Sequence, residues 1–220
     1  MPARKILCWP DPRLQKTATT IESIDDQAVE LARDLIDSMK VEFGAGLAAS
    51  QINVHRSMVV IAAHYAADYT LDVDPLCPEA IVLVNPKLID QSEETFYWEE
   101  ACLSVPNYSE LVERHTNIKL EYQNLSGDSI VCNLSSPFSG IVQHEVDHLS
   151  GKLYLDRLSP DKKRGAIIAL REQIAKRKKA TRKKINLERR SEWADSIKKG
   201  FRAPSLRGNG SRKKARKNKK

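Results

Sequence analysis

The chain has 220 residues, with 36 lysines and arginines against 29 aspartates and glutamates, which gives a formal net charge of +7. Residues 1–160 hold 12 basic and 24 acidic residues, whereas residues 161–220 hold 24 basic and 5 acidic residues. About 160 residues are enough for one buried core, and the remaining segment has too few apolar residues to form another. The composition therefore predicts one acidic globular domain with a basic appendage and excludes two packed domains.

The cysteines and the apolar runs bear on the compartment. Four cysteines at widely separated positions, without a Cys-x-x-Cys pair, argue against a disulfide scaffold and favour a reducing compartment. Residues 1–9 lack the apolar stretch of a secretory signal, and the apolar run 58–63 is far too short to cross a membrane. We therefore expect a soluble, intracellular protein that has no membrane partner.

The first predicted elements are a helix and a series of strands. Apolar residues recur at helical spacing over residues 24–43, Asp25 or Asp26 can cap the start, and Gly44-Ala45-Gly46 ends the helix. Turn residues, such as Asn85-Pro86 and Ser126-Gly127-Asp128, separate the runs that follow. Residues 64–79 are predicted to form a long polar loop. The β-rich runs predict five short strands, at 57–63, 80–84, 96–98, 118–122 and 130–134.

Two more helices complete the prediction. One begins after Pro137 and ends at about Leu149, and the next begins at Ser159-Pro160-Asp161, where Ser159 can cap the helix. A helix, a run of strands and further helices are typical of an α+β fold. We expect short antiparallel β-sheets around a central helix, followed by a C-terminal helix and a basic tail. The predicted divisions are a catalytic domain at 1–159, a basic helix at 160–188 and a disordered basic tail at 189–220.

The strongest local motif is H-E-x-x-H, formed by His144 to His148 within the predicted central helix. Residues four apart share one helix face, so both imidazoles can reach one metal ion, and Glu145 then lies beside that ion. The alternative interpretation is a solvated helix face with two unrelated histidines. Because a catalytic metal normally has three protein ligands, the motif alone does not complete a site.

The missing ligand has to come from upstream. No histidine or cysteine follows His148, which weakens the interpretation as a thermolysin-like zinc protease. Cys102 ends a predicted strand in the stretch 99–106, and its thiolate is a strong ligand for Fe²⁺ or Zn²⁺. The alternative for Cys102 is an ordinary buried free cysteine.

A third segment, residues 44–51, is rich in small residues and ends at Gln51. Small residues let a ligand approach the backbone, and an extended Gly-x-Gly edge can pair with a peptide by strand addition. The neutral amide of Gln51 is a suitable donor to a developing oxyanion. The alternative is a plain turn after the first helix.

Together the three segments, GAGLAASQ at 44–51, EACLS at 100–104 and HEVDH at 144–148, resemble the peptide deformylases. These enzymes remove the N-terminal formyl group from nascent chains, and the resemblance extends over residues 3–175. It implies a metal-dependent hydrolase that acts on formylmethionyl nascent peptides and releases formate. It also implies a cytoplasmic location of bacterial type, with an organellar location as the alternative. Ala101 and Ala45 depart from the residues that the family usually has at these positions.

The resemblance also implies roles for individual residues. Cys102, His144 and His148 match the metal ligands, and Glu145 matches the catalytic acid and base. The ion implied is Fe²⁺, with Zn²⁺, Ni²⁺ or Co²⁺ as substitutes. The Gln51 side chain and the Leu103 backbone N–H match the donors to the oxyanion. The resemblance also implies a supporting ion pair between Glu100 and Arg114. The residues that it implies in substrate binding are Gly44, Ala45, Gly46, Leu47 and Ile141.

The basic end of the chain predicts an anionic partner. Twenty-four positive charges in 60 residues repel one another unless an anion offsets them, and a phosphate backbone is the expected partner. Residues 160–185 resemble the deformylase helix that docks on the ribosome, so we expect attachment to ribosomal RNA; a solvated face is the alternative. Two other functions remain open: an inactive ribosome- or RNA-binding relative with a structural metal, and a peptidase.

Overall fold

The computed structural model describes residues 3–67, 69, 71 and 77–198. Three helices and seven strands, with short 3-10 turns between some of them, make up this part of the chain. In chain order they are α1 (Asp26–Val41), β1 (Gly46–Ala48), β2 (Met58–Ala62), β3 (Ala80–Gln91), β4 (Thr95–Cys102), β5 (Val105–His115), β6 (Asn117–Gln123), β7 (Ser129–Ser135), α2 (Phe138–Leu149) and α3 (Pro160–Lys198).

The strands form two antiparallel sheets, as the predicted α+β fold requires. Five strands pair in the order β1-β2-β3-β6-β7, and β4 pairs with β5 in a separate hairpin. Successive side chains of a strand point to opposite faces, and in β2 they enter two different cores: Val60 packs with α1 residues such as Leu35, whereas Ile61 packs with α2 residues such as Val142. The two helices therefore cover opposite faces of the five-stranded sheet, which explains why β2 is buried throughout.

The predicted helices α1 and α2 are confirmed. The Asp25 side chain accepts a hydrogen bond from the Ala28 N–H at the start of α1, so Asp25 is the cap. All five predicted strands are present, but two strands, β1 and β5, were not predicted. The turn predicted at Asn85-Pro86 is wrong: strand β3 continues through these residues, and a shift in register between Val84 and Lys87 absorbs them as a bulge.

Helix α3 crosses the boundary between two units, Met1–Leu170 and Arg171–Lys220. In the first unit, Ala166 and Leu170 are buried against Tyr154 and Leu155, so the start of α3 packs with the residues of that unit. In the second unit, residues 171–198 continue the helix with eleven basic and four acidic residues. The predicted helix end at 188 is wrong, because residues 189–198 are helical, and the remainder of the predicted tail lies outside the described residues.

Two negative findings concern the described part of the chain. None of its helices combines the length and apolarity that crossing a membrane requires. None of the four cysteines, all of which lie in described segments, forms a disulfide.

Candidate active site

Three predicted metal ligands meet in one buried cluster. His144 and His148 lie one turn apart on α2, and Cys102 is the last residue of β4. One ligand atom from each side chain lies within 4.8 Å of the other two, and all three residues are buried. The Sγ of Cys102 is 3.4 Å from Nε2 of His148. The cluster therefore brings a thiolate and two imidazoles to a single point, as a three-ligand metal site requires.

The outer nitrogens of both histidines are held by acceptors. Nδ1–H of His144 donates to the Glu100 carboxylate at 2.6 Å, and Nδ1–H of His148 donates to the Lys152 carbonyl at 3.1 Å. With the proton fixed on Nδ1, the lone pair of each Nε2 is available to a metal ion. The tautomers and the donor set thus fit a divalent cation such as Fe²⁺ or Zn²⁺.

The electrostatics of the cluster also favour a cation. Without a metal ion, Nε2 of each histidine can carry a proton instead: burial then raises the pKa of the Cys102 thiol, but the charge of His148 and hydrogen bonds from both histidines outweigh it and lower the pKa to about 5. Burial likewise opposes ionisation of Glu100, but hydrogen bonds from His144 and Arg114 lower its pKa to about 2. Two anions are therefore stabilised at the site, and a divalent cation held by Cys102, His144 and His148 would offset the thiolate charge.

Glu145 lies beside the ligands and has one orphaned oxygen. The residue is 5% exposed, its side chain lines the central cavity, and its Oε2 has no hydrogen-bond partner within the described structure. Burial raises the pKa of Glu145 above the usual value for a glutamate. A buried carboxylate without a partner is costly, so this oxygen is placed to receive a proton from a water molecule or a substrate.

A buried ionic network supports the cluster from behind. Arg114 on β5 donates to Glu100 at 2.7 and 3.0 Å and to Asp147 at 2.6 Å, and Arg157 donates to Asp147 from outside. The implied ion pair between Glu100 and Arg114 is therefore present. Because Glu100 in turn binds His144, the network fixes the orientation of one metal ligand. Nothing in the sequence analysis assigned a role to Asp147, although it lies inside the H-E-x-x-H motif.

Gln51 is held between two segments. Its Oε1 accepts from the Ala48 N–H at 2.8 Å, and its Nε2 donates to Ser104 Oγ at 3.0 Å and reaches Cys102 Sγ at 3.6 Å. The side chain thus points its amide donor at the metal cluster. Leu103, the other predicted donor, occupies the tight turn between β4 and β5 directly after Cys102.

A cleft of about 450 Å³ opens onto Glu145 and His144. Of the residues predicted to bind substrate, the structure places Gly44, Ala45, Gly46 and Ile141 in its lining. The exception is Leu47, whose side chain is fully buried in the core between α1 and the sheet and does not line the cleft. Eight further lining residues were not singled out from the sequence as binding residues: Glu42, Phe43, Tyr65, Trp98, Glu99, Ala101, Pro106 and Asn107.

Strand β1 forms an open edge beside the cleft. It is the first strand of its sheet, and Ala45 accepts a hydrogen bond from Ala62 of β2. Hydrogen bonding alternates along an antiparallel pair, so Leu47 also faces β2, whereas the N–H and C=O of Gly46 point to the open edge. A Cβ at Gly46 would lie 2.6 Å from Glu145 Oε1, so any larger residue there would displace the Glu145 side chain.

Comparison with known proteins agrees with this geometry. The sequence model of the family described as "Polypeptide deformylase" matches residues 3–164. A peptide deformylase of Acinetobacter baumannii (strain SDF) is 37% identical over 171 residues, which is 78% of this chain and 89% of the relative. The peptide deformylase of Cellvibrio japonicus is 35% identical over 175 residues, 80% of this chain and 95% of the relative.

Solved structures give the same result. The structure of peptide deformylase from Ehrlichia chaffeensis in complex with actinonin superposes with a TM-score of 0.69 and 30% identity, over 79% of this chain and 98% of that one. A peptide deformylase from Legionella pneumophila has a TM-score of 0.67 and 34% identity, over 81% and 98% of the two chains. The chain belongs to the polypeptide deformylase family, and it is accordingly an enzyme of this family of metal-binding hydrolases.

Proposed function

We propose that this protein removes the formyl group from the N-terminal methionine of nascent polypeptides and releases formate in a metal-dependent hydrolysis. One observation carries the proposal: Cys102, His144 and His148 converge beside a buried, unpartnered Glu145 oxygen, in a cleft flanked by an open strand edge. The cleft supplies room for a methionine side chain, and the edge supplies hydrogen bonds for a peptide backbone.

Cys102, His144 and His148 would hold one divalent ion, and we propose Fe²⁺, with Zn²⁺, Ni²⁺ or Co²⁺ as substitutes. A thiolate with two imidazoles suits any of these ions. When bound, the ion supplies Lewis acidity and lowers the pKa of water.

Glu145 is proposed to move the proton. Its Oε2 accepts a proton from the attacking water, whose oxygen forms a bond to the formyl carbon. The carbon–nitrogen bond then breaks, and Glu145 returns the proton to the departing amine. The products are formate and a peptide with a free amino terminus. Burial assists this role because it raises the pKa of Glu145 above the usual value for a glutamate, which makes the carboxylate a stronger base.

Two donors are proposed for the developing oxyanion. Gln51 has two hydrogens on Nε2, of which Ser104 Oγ takes one at 3.0 Å; the other faces Cys102 Sγ at 3.6 Å and is the one offered to substrate. The backbone N–H of Leu103 is the second donor. Such preorganised donors stabilise charge that develops only in the transition state.

The open edge of β1 is proposed to align the substrate. The N–H and C=O of Gly46 pair with the peptide backbone as a further antiparallel strand. This pairing would bring the formyl group to Glu145, because the Gly46 Cα lies against that side chain. Gly44, Ala45 and Ile141 then surround the methionine, and Leu47 contributes only by holding β1 in its sheet.

The test is formate release from a formyl-Met-Ala-Ser peptide by anaerobically purified protein. Glu145→Gln should keep its metal but lose at least about 100-fold in kcat; unchanged turnover would contradict the assignment. Two competing functions give other results. A relative with a purely structural metal would release no formate, and a peptidase would cleave an unblocked peptide.

We further propose that residues 171–198 and the basic residues beyond them attach the enzyme to ribosomal RNA, which places it in the cytoplasm with its nascent substrates. The eleven basic residues of this helical segment support the proposal. Truncation after Ala180 keeps the packed residues Ala166 and Leu170 and should weaken ribosome binding, most strongly at low salt. Equal cosedimentation of both forms through a salt titration would contradict the attachment.

A further inference from the structure

The charges of the cleft are of one sign. Its lining contains four glutamates, Glu42, Glu99, Glu100 and Glu145, and within the described residues it contains neither lysine nor arginine. A substrate that enters this cleft therefore meets carboxylates without a basic side chain to bind an acidic group.

Two of the four glutamates are accounted for inside the protein. Glu100 is neutralised by Arg114 and is hydrogen-bonded to His144. Glu145, buried and aimed into the same cleft with an unpartnered oxygen, belongs to the proposed chemistry. Neither of them is available to a side chain of the substrate.

Glu42 and Glu99 are left for the substrate. Both are exposed, and in the described part of the chain neither forms an ion pair with a basic residue. Glu99 accepts only a neutral hydrogen bond, from Ser109 Oγ at 2.6 Å. Both therefore lie in the lining of the cleft without a basic partner among the described residues.

The two carboxylates come from different segments of the cleft lining. Glu42 directly follows α1 and precedes the segment Gly44–Gly46, whereas Glu99 lies on β4, three residues before the predicted ligand Cys102. A peptide that pairs with the open edge at Gly46 would extend through this lining. Because successive side chains of an extended peptide point to opposite sides, its second and third residues are the ones that would reach carboxylates on two different segments.

We propose that Glu42 and Glu99 select formylmethionyl peptides that carry a lysine or arginine at the second or third position and disfavour those with an acidic residue there. This inference rests on the proposed deformylase function and names the substrate class of the same site. Opposite charges at solvent-exposed positions attract each other weakly. Because the two carboxylates attract a lysine of the substrate and repel a glutamate, the two effects add. We therefore expect kcat/KM for a lysine peptide to exceed that for the matching glutamate peptide about five- to tenfold.

The experiment compares kcat/KM for two pairs of peptides, formyl-Met-Lys-Ser against formyl-Met-Glu-Ser and formyl-Met-Ser-Lys against formyl-Met-Ser-Glu. The lysine peptide of at least one pair should be favoured at low salt, mainly through KM, and the ratio should fall as salt screens the charges. Glu42→Gln and Glu99→Gln should each reduce the ratio, and the double variant should abolish it. Glu22→Gln removes an exposed carboxylate outside the cleft and should leave the ratio unchanged.

The outcomes separate the two proposals. Formate release with equal kcat/KM for the lysine and glutamate peptides would overturn the inference and leave the proposed function intact. A preference for lysine that survives the double substitution would also overturn it. No formate from any of the peptides would contradict the proposed function and the inference together.

Discussion

Replacing Arg114 with methionine tests whether the buried network is an essential support of the site. The guanidinium is 2% exposed and contacts two carboxylates that are themselves buried, Glu100 at 1% and Asp147 at 7% side-chain exposure. Methionine preserves much of the apolar volume but removes all of the donors. Among the described residues, the Glu100 carboxylate then keeps His144 and Trp98 as its only partners, and the Asp147 carboxylate keeps only Arg157.

The expected cost is large because two buried negative charges lose their shared counter-charge. Removing one partner of a buried ion pair costs about 3–5 kcal/mol. An exposed pair on the same protein, Lys163 with Asp156, has side chains that are 41% and 38% exposed. Such a pair contributes about 0–1 kcal/mol, so Lys163→Met is the matched control.

The assay is equilibrium unfolding in urea with a chelator present, so that differences in metal affinity do not enter. With a slope of about 1–3 kcal/mol per molar urea, a loss of about 4 kcal/mol lowers the midpoint by more than about 1 M. Lys163→Met should shift it by a fraction of that. If Arg114→Met costs no more than Lys163→Met, the network is not the support described above.

Two further substitutions test the cleft and the metal cluster. Gly46→Ala should lower kcat/KM about 100-fold, because the new methyl group collides with Glu145 and displaces its side chain. The control is Gly165→Ala, because a Cβ at that position meets nothing within 4 Å. Equal turnover of the two variants would contradict the close approach of Gly46 to Glu145. Cys102→Ser should lose its metal in elemental analysis, whereas Cys132→Ser, on β7, should retain it; full metal in Cys102→Ser would remove the thiolate from the site.

The sequence predicted the parts of the fold that depend on local signals. Helix α1 has a cap at Asp25 and a regular apolar spacing, and α2 has its H-E-x-x-H motif at helical spacing. The end of α3 was predicted at residue 188, ten residues too early. The low apolar content of the following segment shows that it cannot pack into a core, but it does not prevent the segment from forming a helix. Residues 189–198 contain neither glycine nor proline, so nothing in them interrupts α3.

Elements that depend on distant partners were missed. Strand β5 begins Val-Pro-Asn-Tyr and carries many polar residues, and it exists because the turn at Leu103 folds it back on β4. Asn85 has a positive φ of 52°, which is typical of a turn, yet its side chain bonds Ile21 and Gln123 and holds the residue in a bulge of β3. Neither contact has a local sequence signature.

The same division applies to the site. The metal ligands, Glu145 and Gln51 stand in recognisable motifs, and the structure brings them together. Asp147 and the cleft residues Glu42 and Glu99 could not be assigned roles from a motif. Their roles depend on which of these carboxylates have a basic neighbour in the folded protein, and the sequence does not show this. Leu47 lies in a motif but packs in the core, since alternate residues of β1 face opposite sides.

The central claim is that a metal ion held by Cys102, His144 and His148 sustains deformylation. Its most direct test is an anaerobic titration of metal-free protein with Fe²⁺, in which formate release from a formyl-Met peptide is measured at each addition. We expect no turnover without metal, a linear rise, and a plateau at one ion per chain. Turnover by the metal-free protein, or full occupancy of the site without formate release, would contradict the claim.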